Sequence, residues 1–122
     1  MGKEIKIVVG GIEAEATLND TKTARLVYDA LPITGQANLW GDEIYFDINL
    51  EAEEENGKET VVLGDIALWL AGPALCIFLG KTPISRGDEI RPASTVNVIG
   101  KIKDVAALYR KVKAGEKITF RR

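Results

Sequence analysis

The 122-residue sequence predicts a mainly β domain, a barrel or sandwich capped by two helices, on three observations. About eight short segments have the length and pattern of strands, glycine or proline turns separate several of them, and only two stretches carry helical spacing. One domain is enough: a chain of this size removes roughly two thirds of its unfolded surface from water and forms a single core.

The first strands are KEIKIVV and IEAEATL, separated by Gly10-Gly11, a pair able to take the positive φ of a tight hairpin. Ile12, Ala14, Ala16 and Leu18 alternate with Glu13, Glu15 and Thr17, so one face is buried and the other wet. Next, Asn19-Asp20-Thr21 supplies N-cap residues to KTARLVYDAL, whose Ala24, Val27, Tyr28 and Leu31 share a helical face until Pro32 stops it. ANLW and EIYFDINL follow, the latter with Ile44, Phe46, Ile48 and Leu50 on one face. The apolar run Ile66 to Gly80 is about fifteen residues, short of the roughly twenty needed to span a bilayer, and Gly72-Pro73 divides it into two buried strands, IALWL and ALCIFL. TVNVIGKI is another strand. A second helix is expected after Asp104, with Val105, Leu108, Tyr109 and Val112 on one face and Gly115 at its end, and KITFR is the last strand.

Composition narrows the chemistry. The net charge of −2 provides no field to concentrate nucleic acid or an anionic membrane, so neither is expected as a partner. Histidine is absent, which excludes His-based triads and removes the commonest metal ligand. The single cysteine, Cys76, cannot form an intramolecular disulfide and reads as a small buried residue. Phosphate loops and paired cysteines are missing, and the acidic run EAEEENGKE lacks the alternating ligands of a calcium loop, so no cofactor and no metal is expected. That run, with Asn56-Gly57 at its tip, reads as a solvated protrusion. The start of the chain lacks a secretory signal pattern, and a cytoplasmic location is expected.

Several of these strings in this order resemble the cyclophilins, and more closely the small prokaryotic cyclophilin-like proteins: KTARLVYDAL, WGDEIYF, GDIALW, LCIFLGKTP and VNVIGKI. The resemblance covers nearly the whole chain as one domain, 1–122, and implies a closed eight-stranded antiparallel cyclophilin-like barrel capped by two α-helices. Cyclophilins rotate X-Pro bonds, against a barrier of about 18–20 kcal/mol, by donating a hydrogen bond from an arginine to the proline amide. The resemblance places that arginine in ANLW, which has none. The family's apolar wall falls on or beside Cys76, its pocket tryptophan near Ile84, and its histidine has no counterpart. Arg86 and Arg91 follow the matching strand, and the sequence gives no sign that either reaches the expected mouth. An isomerase of ordinary efficiency is therefore not implied.

The candidate ligand-binding residues are Trp40, Glu43, Tyr45, Trp69, Cys76, Phe78 and Arg86. Trp40 and Trp69 each stand beside a Gly-Asp turn and read either as core or as the flanks of a groove. Glu43 and Tyr45, two apart on a strand, share a face that is either a groove or a solvated outer wall; Cys76 and Phe78 share a face in the same way. The reading is a binding module for a small molecule or short peptide, with a divergent or weak prolyl isomerase and a subunit of a larger amide- or lactam-hydrolysing assembly as alternatives. The sequence leaves open whether it acts alone, as a homo-oligomer or with a partner subunit.

Overall fold

The computed structural model describes residues 2–122. Nine strands run in the order β1 (Lys3–Val9), β2 (Ile12–Leu18), β3 (Ile33–Gln36), β4 (Asn38–Trp40), β5 (Glu43–Asp47), β6 (Asp65–Trp69), β7 (Ala74–Phe78), β8 (Val96–Ile102) and β9 (Lys117–Arg121), with helix α1 (Lys22–Ala30) between β2 and β3. All neighbours pair antiparallel in one sheet ordered β3-β9-β1-β2-β8-β6-β7-β5-β4. The two ends of that order, β3 and β4, are consecutive in the chain with Ala37 between them, so the sheet comes round on itself as a nearly closed barrel. The ninth strand thus arises where one extended stretch changes partner: its first half pairs with β9 and its second with β5. Ala37 marks the change, with its N–H on the Glu116 carbonyl (2.8 Å) and its carbonyl accepting from Gly115 (2.7 Å).

Alternation along the strands fills the interior. Ile5, Ile7 and Val9 of β1 pair with Ala16, Ala14 and Ile12 of β2, and all of these except half-buried Ile12 lie in the core with Ile44, Phe46, Ile66, Leu68, Leu75 and Ile77. Phe46 and Phe120, both fully buried in this core, meet edge to face with centroids 5.4 Å apart. Burying such a ring contributes about 1.5–3 kcal/mol. Gly35 makes room for it: a Cβ there would lie 2.7 Å from the Phe46 ring.

Helix α1 starts as its sequence dictates, with Thr21 Oγ1 accepting from the Ala24 N–H (3.1 Å), and buries Thr23, Ala24 and Val27. Tyr28 stays half-buried, its ring flanked by the Lys3 ammonium (5.0 Å) and the Arg122 guanidinium (4.5 Å). The acidic run is no free protrusion. The Glu55 carboxylate accepts from the N–H groups of Lys22 (3.0 Å) and Thr23 (2.9 Å) and from the Thr23 hydroxyl (2.7 Å), completing the cap of α1. Fully buried Asn97 fastens this segment, donating to the Glu53 carbonyl and Thr23 and accepting from the Glu55 N–H.

The second expected α-helix is a single 3-10 turn, Val105–Ala107. Leu108 and Val112 are buried as the spacing implies, but Arg110 takes φ +56°, which no right-handed helix accommodates, and its guanidinium pairs with Asp42 in the β4–β5 turn (3.4 Å). No helix among the described residues is long and apolar enough to cross a membrane.

Candidate functional site

Strands β6, β7, β5 and β4 are adjacent, so the outward-pointing residues of these four form one surface. Register aligns Tyr45 with Cys76 and Cys76 with Ala67, while Glu43 sits opposite both Phe78 and Trp40. A bulge at Ile99, where β8 advances two residues for one of β6, puts Val96 and Val98 on this outer side. Here the outer face is not wet. The segments before β6 and after β7 fold over it, joined by a Val61–Ile90 bridge, and enclose a second apolar cluster of Val61, Ala67, Cys76, Phe78, Ile90 and Val96.

Beside this cluster lies a cavity of about 200 Å³, walled by Trp40, Glu43, Tyr45, Trp69 and Cys76, with Pro92 and Ala93 closing it from the loop after β7. The loop is pinned: Ser85 Oγ accepts from the N–H groups of Thr82 and Arg91 (both 3.0 Å), and Ser94 Oγ accepts from Trp69 Nε1 (2.7 Å). The Gly41-Asp42 turn is held by the Lys81 carbonyl (2.9 Å), and a side chain at Gly41, whose φ is +64°, would strike that carbonyl. Both indoles therefore sit on fixed backbone.

Glu43 is the unusual wall residue. It is 5% exposed, and its Oε1 is buried without a hydrogen-bond partner among the described residues. Burial raises its pKa from the ordinary 4.5 to about 7, opposed by the Cys76 thiol, its diagonal neighbour across the β5–β7 pair, which itself donates to the Ala74 carbonyl (3.9 Å). The same burial, with the Glu43 carboxylate next in effect, pushes the Cys76 thiol well above its ordinary value. Cys76 is thus a protonated wall atom at neutral pH rather than a nucleophile.

Five of the seven residues singled out from the sequence converge on this cavity. Phe78 is one step away, wholly buried in the cluster beneath it. Arg86 lies in the loop after β7, away from the cavity wall, and Arg91 is bound to its own loop through Glu89 (2.6 Å). Pro92 and Ala93 escaped sequence reasoning because they reach the wall through the course of a loop rather than strand alternation. A wider hollow of about 390 Å³ between α1 and residues 52–55 is lined by Glu55, whose carboxylate is already committed to the helix cap. No group of three or more acidic or cysteine side chains among the described residues is arranged to hold a metal.

The cyclophilin-like family model matches residues 3–121. The chain belongs to the cyclophilin-like family. Among solved structures, this cyclophilin-like chain is similar to the hypothetical protein AF2241 from Archaeoglobus fulgidus, at 44% identity over 99% of this chain and 95% of that one, with a TM-score of 0.80. It is also similar to McbB, solved in complex with tryptophan, at 18% identity and a TM-score of 0.72, where 97% of this chain covers 44% of that one; this likeness shows the fold alone. No curated protein matches the chain. Within this cyclophilin-like barrel, the stretch Ala37–Trp40, where the family resemblance places the isomerase arginine, supplies an indole to the cavity instead.

Proposed function

We propose that this cyclophilin-like domain is a binding module that seats a small molecule, or one side chain of a short peptide, in the Trp40–Trp69 cavity. The observation that carries this reading is Glu43 Oε1: a polar atom held buried without a partner among the described residues costs about 1–3 kcal/mol or more, and a donor on a ligand seated in the cavity would recover that cost. Around it stand two indoles, a phenol and a thiol, a mostly apolar wall with one polar group to fix orientation, as small-molecule sites are built. At about 200 Å³ the cavity suits one ring or a branched alkyl group.

Prolyl isomerisation finds less support, because among the described residues no arginine lines the cavity, and the Arg91 guanidinium is engaged by Glu89. The chain holds only two tryptophans, so two indole N–H signals report on the cavity in solution. Screening a library of small ring compounds by NMR tests the proposal: binders are expected to shift both signals together and to lose effect in Tyr45→Ala. A library that moves neither signal would defeat it.

A further inference from the structure

The chemical class of the ligand follows from what surrounds Glu43, given the binding-module reading on which this inference rests. A neutral hydrogen-bond donor would satisfy Oε1 but leave any charge on the carboxylate uncompensated in an apolar wall. A cation satisfies both, and the other walls favour it: Trp40, Trp69 and Tyr45 present the aromatic groups that attract organic cations, most strongly when water is excluded. Among the described residues no Lys or Arg lines the cavity to compete for the carboxylate. The titratable groups facing Glu43 are the Cys76 thiol from β7 and the Tyr45 phenol of its own strand; β4 and β6 contribute the indoles, and the covering loop contributes uncharged Pro92 and Ala93.

We propose that the cavity takes a protonated amine bearing one compact apolar or aromatic group, with the ammonium on Glu43 Oε1 and the apolar group against the Trp40 and Trp69 indoles.

This assignment couples binding to a proton. Glu43, with a pKa of about 7 in the empty cavity, must release its proton to pair with the cation, so affinity rises with pH until Glu43 is ionised. The thiol, displaced upward, stays protonated throughout.

Benzylammonium and benzyl alcohol form a matched pair of probes: the same ring and length, one cationic, one a neutral donor. Titrated against the two indole NMR signals, benzylammonium is expected to bind at least about tenfold more tightly than the alcohol at pH 8, and about tenfold more weakly at pH 6 than at pH 8, as for a site that must lose one proton near pH 7. Benzyl alcohol should show no such pH dependence. In Glu43→Gln the preference for the cation should vanish while the alcohol still shifts the indoles, which also shows that the variant is folded. Equal or tighter binding of the alcohol to the unmodified protein would overturn the amine assignment and leave the binding-module reading standing. Binding of the cation that is indifferent to Glu43→Gln would overturn it too. Failure of both probes, and of the wider ring library, to move either indole would remove both readings together.

Discussion

Replacing Glu43 with glutamine should stabilise the protein above neutral pH and hardly affect it in acid. The folded carboxyl keeps its proton up to about pH 7 because the cavity wall withholds water from the charged form, whereas the unfolded chain releases it near 4.5. Between those values the native state binds a proton that the unfolded state lacks, so this group's contribution to stability falls as pH rises through that window and stays low above it. A difference of that size corresponds to about 3 kcal/mol at pH 8. Below pH 4.5 the carboxyl is protonated in both states and imposes no such cost. Glutamine has the same shape and never ionises, so urea denaturation at pH 8 should show the variant more stable than its parent by about that amount, or roughly 10 °C in Tm. At pH 4.5 the two should agree within about 1 kcal/mol. The carboxylates held below their ordinary values, Glu4, Glu13, Asp20, Glu55 and Glu89, lose their contribution in acid in both proteins alike and cancel in the difference. A stability gap that does not change between the two pH values, or a less stable variant at pH 8, would refute the argument that Glu43 is desolvated.

Two further outcomes follow from neighbouring features. Cys76 is 2% exposed and its thiol is pushed upward by burial, so a disulfide reagent at pH 8 should label it at least about 100-fold more slowly in the native protein than in urea; rapid native labelling would mean that the wall opens freely. Gly100 faces the backbone of β2, where a Cβ would come within 2.3 Å of the Thr17 carbonyl oxygen, and Gly100→Ala should lower the denaturation free energy by about 2 kcal/mol or more, an unchanged urea midpoint being the contrary result.

The strands were legible because alternation is a local code. The IEAEATL pattern shows which face of β2 is buried, and alternation puts Glu43 and Tyr45 on one side of β5 and Cys76 on one side of β7, but leaves open whether that side is a groove or a solvated wall. Alternation does not say which strand lies next to which, nor where one strand trades partners, so the division at Ala37 was invisible. The second helix failed for a related reason. Val105, Leu108 and Val112 have helical spacing, yet a 3-10 turn followed by loop delivers Leu108 and Val112 to the same end of the barrel while letting Arg110 reach Asp42. Glu55 looked like one more solvated acid because its partners, the first N–H groups of α1, lie more than thirty residues away. The depth of Glu43 was likewise hidden: the sequence put it on a face, and only the loop laid over that face made it a buried acid.

The position of β9 bears on how the molecule is made. It is inserted between β1 and β3, elements synthesised far earlier, and pairs with both. Without residues 117–121, β3 has no ladder partner, β1 keeps only β2, and Phe46 lacks its ring partner. Closure of the barrel therefore depends on a strand drawn from the far end of the sequence from those it joins.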